Sequence, residues 1–377
     1  ASTVLLAGAV VFDGNSAVHG GGLYADDGAT VTALPTNGLA PLFTGNVAQQ
    51  HGGGLAVYNT SVLHAVNCAF DGNQAGGSGG GVYTYWSSAQ IHGDFAVPPA
   101  RPPCVFMHNR ADYGGACYFD MISDSSVRDA LIVSNHATHA GGGVRAGSGG
   151  HAHLRNCVVA GNTAPQAAGA SGGIGVRLYA EHCTFADNSS AGVDYSGVLG
   201  LTNCIAWGNV GTQVAAGAAL HFCNVEGGYP GTGNLNADPL FRSPDALDWS
   251  LAVGSPSIDS ATSCGVTLDC RGLMRPQGYG FDMGAYELDP KPYLDVTPLV
   301  LEFGIVNIGS SSDRVARIQC AGDGWLTGAL ENVPVPIFSA DVYNYVVPPN
   351  SATDVVFTFS PPMAYAWTQT VHFISNG

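Results

Sequence analysis

Cys157-Val158-Val159-Ala160-Gly161-Asn162 and, 26 residues on, Cys183-Thr184-Phe185-Ala186-Asp187-Asn188 decide the fold of this chain. Each is an apolar triplet, two further residues and an Asn. The same cassette ends at Asn15 (after Val10-Val11-Phe12), Asn46 (Pro41-Leu42-Phe43), Asn73 (Cys68-Ala69-Phe70) and Asn109 (Cys104-Val105-Phe106). It also ends at Asn135 (Ala130-Leu131-Ile132) and Asn209 (Cys204-Ile205-Ala206). Successive Asn lie 31, 27, 36, 26, 27, 26 and 21 residues apart. A period in that range with no helical pattern inside it predicts a stacked solenoid.

A second signature follows each Asn: Gly20-Gly21-Gly22-Leu23, Gly52-Gly53-Gly54-Leu55, Gly79-Gly80-Gly81-Val82 and Gly141-Gly142-Gly143-Val144, with Gly114-Gly115-Ala116-Cys117 as a variant. A rung therefore reads as strand, Asn turn, Gly corner, second strand and return. Gly permits positive φ at such corners. Asn tolerates the left-handed region as well, and its amide suits a ladder from rung to rung. Successive strands are expected to pair in parallel with right-handed crossovers. The chain is thus expected to be all-β, a right-handed parallel β-helix. Alternate residues face inward, so Phe12, Phe43, Phe70, Phe106, Ile132, Val159 and Phe185 form one core column.

Cys68, Cys104, Cys157, Cys183 and Cys204 sit five residues before the repeat Asn. Stacked with parallel Cβ vectors, they are poorly placed for disulfides and read as small buried hydrophobes. Cys264 and Cys270, in a loop-like stretch, are the disulfide candidate pair. No close Cys/His cluster indicates zinc.

Only 11% of the 377 residues are charged, and the net charge is −16, with 23 Asp, 5 Glu, 11 Arg and one Lys, Lys291. Nucleic acid is disfavoured as a partner for want of a basic stripe. Asp-rich turns leave calcium as a possible ligand; no other cofactor is called for. No apolar run reaches the length of a transmembrane segment. The chain begins at Ala1 and reads as processed or incomplete there. Asn59-Thr60-Ser61 and Asn188-Ser189-Ser190 match glycosylation sequons.

The Gly-Gly-[Leu/Val] and Phe-x-x-Asn elements resemble the repeats of chlamydial polymorphic outer membrane proteins, and more broadly bacterial pectin-lyase-like surface proteins, over residues 1 to about 215. Asp238-Pro239-Leu240-Phe241, Asp248-Trp249-Ser250-Leu251, Gly254-Ser255-Pro256-Ser257-Ile258-Asp259 and Asp282-Met283-Gly284-Ala285-Tyr286-Glu287 are similar in order to the choice-of-anchor segment that ends many such proteins. That segment is expected to cover the open edge of the last rung. Pro290-Lys291-Pro292 reads as a linker. The alternating stretches 299–304, 314–318 and 354–359 that follow predict half-buried antiparallel strands and resemble an immunoglobulin-like domain. In that family a further strand follows the Ser375-Asn376-Gly377 position, so the domain reads as cut short or completed by a donated strand. The expected domains are 1–221, β-helix; 222–289, cap; and 290–377, Ig-like β-sandwich. The resemblance implies a secreted or cell-surface location.

Two outward surfaces attract functional readings. Aligned on the Gly corner, the following strand presents Tyr24, Ala56, Tyr83, Tyr118 and Arg145, then Asp26, Tyr58, Tyr85, Asp120 and Gly147, with Arg177 and Tyr179 extending the columns. Aromatic faces stack on sugars, and Asp and Arg bond hydroxyls or uronates. Tyr24, Tyr58, Tyr83, Tyr85, Tyr118, Asp120 and Arg145 are therefore glycan-binding candidates. The same tyrosines also suit strands that stack on their neighbours. Trp86, His92 and Phe95 read as an excursion beside them. His136, His139, His151 and His153 read as surrounding one corner, where a metal would find imidazoles. The second surface is an apolar outer stripe, Val11, Leu42, Ala69, Val105, Leu131, Val158, Thr184 and Ile205. So contiguous a patch demands a cover: another protomer, another chain or the protein's own loops. Val11, Leu42, Val105, Leu131, Val158 and Ile205 are the assembly-interface candidates.

The only Lys lies in the linker, so no Lys base sits on the helix, and no carboxylate pair is forced; Asp120 with Asp124 or Asp94 is one arrangement among many. The reading is a non-catalytic structural or adhesive surface protein. It assembles laterally as a homo-oligomer or larger array and binds polysaccharide. The alternative is a polysaccharide lyase or glycoside hydrolase acting on the Tyr/Asp/Arg face.

Overall fold

Tight corners turn the chain between the strands of each rung, and most of them use a residue in the left-handed region. The computed structural model describes residues 2–94, 104–121, 123–173, 175–288, 292–322 and 324–376; Phe95 and Lys291 lie outside them. At the Asn turn the left-handed residue is not the Asn but the one before it. Gly14, Gly45, Gly72, His108, Ser134, Gly161, Asp187 and Gly208 have φ between 53° and 70°. The Asn is thereby free to direct its side chain along the stack.

Four flanks of strands result, all paired in parallel. The cassette flank runs from Val11–Asp13 to Asn224–Val225, and the flank after the Asn turn from Ser16–His19 to His136–Ala140. The corner flank runs from Leu23–Ala25 to Val193–Tyr195, and the return flank from Thr3–Ala7 to Ala219–His221. Asp124–Val133 and His151–Ala160 each serve both the return and cassette flanks. The fold is a parallel β-helix with no α-helix among the described residues. It continues two strands past the eighth cassette, Ala219–His221 and Asn224–Val225, where Cys223 extends the Cys column and Val225 pairs with Ala206.

Inside, Phe12, Phe43, Phe70 and Phe106 stack with ring centroids 4.8 Å apart and planes within 7° of parallel. Each fully buried ring is worth about 1.5–3 kcal/mol. The Asn column is a continuous ladder. Asn73 Nδ2 donates to Asn109 Oδ1 (2.9 Å), Asn109 to Asn135 (3.0 Å) and Asn135 to Asn162 (3.0 Å). Each backbone N–H donates to the same next-rung Oδ1, and each Nδ2 also donates to a core-column carbonyl. Gln213 closes the ladder at Asn209 (2.6 Å). Asn188 is a rung of this ladder and fully buried, so its sequon offers no acceptor for a glycan.

The outer stripe is a single column in the structure. Over its second half the chain covers itself. Trp249, Cys270, Ala285 and Tyr286 pack on Val158, Val133, Ala160 and Ala186, with Leu131 at the edge, while Leu251 and Met283 pack on Ile205. The segment expected to close the end of the helix instead lies along its flank as a clasp. This corrects the assembly assignment for Leu131, Val158 and Ile205, which have an intramolecular partner. Val11 is 55% exposed, and Leu42 and Val105 are half-buried.

Polar groups pin the clasp at intervals. Trp249 Nε1 donates to Asp187 Oδ2 (2.7 Å), Ala285 N to Thr184 Oγ1 (3.0 Å) and Asn156 Nδ2 to Leu268 O (2.6 Å). Gly284, at φ +90°, is pressed so close that a Cβ would stand 2.8 Å from Ile205 Cδ1. Arg275 and Glu287, both without side-chain exposure, form a 2.6 Å ion pair. All ten cysteines are free thiols, Cys264 and Cys270 included. This corrects the disulfide assignment: the two thiols face different anchor points, Cys264 toward Asn203 Nδ2 and Cys270 toward Ala130 O.

His182 ties clasp to helix as a neutral ring. Its Nδ1 lies 3.1 Å from Asp282 O and its Nε2 2.9 Å from Asn203 Nδ2. Asn203 Oδ1 already accepts from Thr262 N, so the amide cannot flip without loss, and Nε2 is held as an acceptor. Burial, reinforced by Arg275, pushes the imidazole from 6.5 down to about 2. Below pH 6.5 the unfolded chain binds a proton that the folded chain refuses, so this group's contribution to stability falls as pH drops, by ~1.4 kcal/mol per unit. Asp129, raised by burial to about 6, has the opposite slope between about 4 and 6. The share of His182 is therefore read by difference. Urea midpoints from pH 7.5 to 5 should fall more steeply for the wild type than for His182→Gln, and parallel curves would refute the assignment.

The chain forms two compact units, Ala1–Glu287 and Leu288–Gly377. In the second, Leu294–Thr297, Ser312–Cys320, Ala352–Phe359 and Phe338–Ala340 make one antiparallel sheet; Asn344–Val347, Leu326–Glu331 and His372–Ser375 make another. Ile318, Leu326, Val347, Val355 and Phe357 share one core. The expected strand at 299–304 does not form. Leu301 and Phe303 do face the core, but Arg314 Nε bonds Glu302 O at 2.8 Å in place of a strand partner.

Candidate functional site

The corner flank gathers the aromatic residues because the Gly corner brings backbones into contact. A Cβ on Gly80 would stand 2.3 Å from Gly115 O. The strands that leave this corner are in register, with Tyr24, Ala56, Tyr83, Tyr118 and Arg145 in one column and Tyr58, Tyr85 and Asp120 in the next. Both columns were legible in the Gly alignment. Tyr24–Tyr58 and Tyr58–Tyr83 have centroids 5.4 Å apart, and Tyr83–Tyr118 5.6 Å.

A third column was missed. The residue just before each Gly run is His19, His51, Ser78 and Tyr113, and these align across the corner. His19 stacks on His51 (5.5 Å) and His51 on Tyr83 (4.6 Å). Arg145 lies over the Tyr113 ring at 5.0 Å. The signal was available in sequence: the position preceding Gly-Gly is His, His, Ser, Tyr.

The Tyr83 ring is consumed by its neighbours and only 3% exposed, whereas Tyr24 at the end of the column is 47% exposed. What the patch presents is edges and polar tips. Tyr24 donates to Asp26 Oδ2 (2.6 Å) and Tyr83 to Asp120 Oδ2 (3.3 Å), and Tyr58 OH lies 3.1 Å from His19 Nδ1. The Tyr24 hydroxyl holds the Asp26 carboxyl below its usual range. Burial pushes the Tyr58 and Tyr83 hydroxyls up and His51 down. Arg145 donates to Ser171 Oγ (3.0 Å).

Other predicted neighbours fall elsewhere. Arg177 and Tyr179 belong to the return flank, paired with His151 and His153. The Gly run they follow is not the corner, which lies earlier at Gly169. His136 and His139 lie on the flank after the Asn turn, bonded to Thr163 Oγ1 (2.8 Å) and stacked on Tyr113 (4.9 Å). They are separate from His151 and His153 on the return flank, so the four do not surround one site. No group of three or more His, Cys, Asp or Glu placed to hold a metal occurs among the described residues. Asp124 faces His153 at 3.4 Å on the return flank, and Asp94 N bonds Asn67 Oδ1 (3.1 Å). No helix among the described residues is long and apolar enough to cross a membrane.

The class defined by this architecture is the repeat-built parallel β-helix. Residues 9–26 and 67–85 match the Chlamydia polymorphic membrane protein repeat. A solved structure, "Crystal structure of pectate lyase Pel9A", aligns at TM-score 0.38 and 13% identity over 72% of this chain and 69% of that one. No curated protein matches the chain.

Proposed function

We propose that the chain is a non-catalytic, surface-displayed β-helix of structural or adhesive type whose corner flank meets glycans. The observation that carries this reading is the interlocked Tyr/His ladder. It is a rigid ribbon with hydroxyl, carboxylate and guanidinium tips repeated at the rung spacing, about 4.8 Å. Such a ribbon suits a repeating polymer whose hydroxyls bond to fixed tips at little entropic cost. The polymorphic membrane protein repeats at 9–26 and 67–85 favour display on a surface. The C-terminal unit, two antiparallel sheets around one core, suits an immunoglobulin-like module. Lateral assembly retains a rationale only at Val11, Leu42 and Val105.

Hydrolysis or lysis of a polysaccharide is the competing reading. Along the ladder, Asp26 and Asp120 are three rungs apart, about 14 Å at the strand spacing, beyond the ~5–9.5 Å that glycosidic carboxylates need.

A panel of neutral and acidic polysaccharides incubated with the full chain tests both readings. The expected result is retention of at least one polymer, lost in Tyr58→Ala, with no new reducing or unsaturated ends. Release of such ends, abolished by Asp120→Asn, would establish an enzyme instead.

A further inference from the structure

Three neighbouring phenols of the Tyr ladder each face a base. Tyr24 donates to Asp26 Oδ2 at 2.6 Å and Tyr83 to Asp120 Oδ2 at 3.3 Å, while Tyr58 OH lies 3.1 Å from His19 Nδ1. Tyr229 and Tyr345, elsewhere in the chain, donate to backbone carbonyls, which do not take up a proton. The difference matters for oxidation. A phenol that loses an electron becomes a strong acid, so it gives the electron up readily only where a base stands within hydrogen-bond reach.

The rings also form an unbroken path. Trp86, 51% exposed, stacks on Tyr85 at 5.8 Å; Tyr85 lies 5.6 Å from Tyr58, and Tyr58 5.4 Å from Tyr24. Electrons pass between aromatic rings in such contact without a mediator. The two ends of the ladder differ in charge. Asp26 accepts from Tyr24 at one end, whereas at the other Arg145 pairs in register with Tyr118 and lies over the Tyr113 ring at 5.0 Å. A missing electron is a positive charge, drawn toward the carboxylate and turned away by the guanidinium. Tyr83 has the longer contact to its base and is closed to solvent. Tyr24 is therefore the place where the vacancy meets both a close base and the surface.

We propose that this path is an oxidation relay from Trp86 to Tyr24, and that Tyr24 is an oxidative cross-linking site between two copies of the chain. A one-electron oxidant takes an electron at Trp86, and electrons from Tyr85, Tyr58 and Tyr24 move in turn toward the vacancy. Tyr58 lends its proton to His19 Nδ1 while the vacancy passes. Tyr24 is left one electron short and gives its phenolic proton to Asp26 Oδ2. Two such Tyr24 radicals, one on each copy, join by a bond between ring carbons, and the hydrogen on each bonded carbon moves as a proton to its phenolic oxygen. Each cross-link thus delivers two electrons to the oxidant and two protons to solvent by way of Asp26. The relay requires no glycan and stands or falls independently of the function proposed above.

Pulse radiolysis of the full chain in azide solution tests the relay, because the azide radical takes one electron from an indole and becomes azide. Part of the tryptophan radical should turn into tyrosyl radical at a rate independent of protein concentration. That part should be lost in Trp86→Phe and in Tyr58→Phe, which keeps the ring and its packing; circular dichroism checks that both variants fold. Longer exposure should give dityrosine-linked dimers. Peptide mapping should place the link at Tyr24, although Tyr279 (105%) and Tyr365 (73%) are more exposed. Tyr24→Phe should remove most of the dimer, and Asp26→Asn should lower its yield. Unchanged radical transfer in Tyr58→Phe would overturn the relay. Links at Tyr279 or Tyr365 in place of Tyr24, a link within one chain, undiminished dimer in Tyr24→Phe, or an unaltered yield in Asp26→Asn would overturn the assignment of Tyr24 and its base.

Discussion

Asn135→Ala should cost about 3–6 kcal/mol, a large part of the 5–15 kcal/mol that usually separates folded from unfolded. The side chain sits fully buried mid-ladder. Its Oδ1 accepts from both Asn109 N and Asn109 Nδ2 (3.0 Å each), and its Nδ2 donates to Phe106 O and Asn162 Oδ1 (3.0 Å each). Alanine removes these bonds, together with the one from Nδ2 to Val133 O (3.1 Å), and strands donors and acceptors in a fully buried site, at about 1–3 kcal/mol for each group left unpaired. Asn15→Ala is the internal control. Asn15 heads the ladder and only donates, both times to Asn46 Oδ1, so its loss should cost no more than ~1 kcal/mol. Urea unfolding followed by circular dichroism reads both. Equal costs at the two positions would mean that the ladder is not a cooperative element.

Arg275→Met should release the clasp and cost about 3–5 kcal/mol. The guanidinium donates to Glu287 Oε1 (2.6 Å), Asp282 O (3.2 Å) and Gly284 O (2.9 Å), which holds the Asp282–Glu287 turn in shape, and to Asn156 Oδ1 on the helix (3.4 Å). Methionine leaves the Glu287 carboxylate buried without its cation, which is the expensive half of breaking such a pair. With the turn detached, Met283, Ala285 and Tyr286 leave Ile205 and Val158. The stripe is then bare, and bare stripes associate. Expected together are protease cleavage within 238–287, a change in Trp249 emission and concentration-dependent oligomers, while β-sheet circular dichroism persists from the ladder-bound rungs. A monomeric, protease-resistant variant with unchanged emission would mean that apolar packing alone holds the clasp. Arg275→Met combined with Glu287→Leu should recover part of the loss, because removing both charges removes the uncompensated one.

These two predictions draw on different layers of information. The Asn ladder and Phe column were legible because a solenoid repeats one local solution, and each rung sees its neighbour at a fixed offset. The Cys column was legible as packing for the same reason. Local rules misplaced details that a corner decides. The left-handed residue precedes the Asn, and Arg177 follows a different turn from the one its Gly neighbours suggest.

The cover of the outer stripe was not legible from spacing. Its contacts join residues about 60–140 apart, such as Asp187 with Trp249 and Ala130 with Cys270. One trace of it was present in the sequence. At the second outward position of the cassette flank, Asp13, Thr44 and Asp71 give way to Met107, Val133, Ala160, Ala186 and Trp207. A flank that turns apolar at both outward columns is one that something will sit on. By itself, then, the sequence determined the stacked parallel architecture, because rung-to-rung pairing needs only nearest-neighbour regularity. Only the tertiary structure decided what sits on that stack. Which segment covers the stripe, and which outward side chains share a flank, depend on loop paths whose lengths vary from rung to rung and carry no repeat.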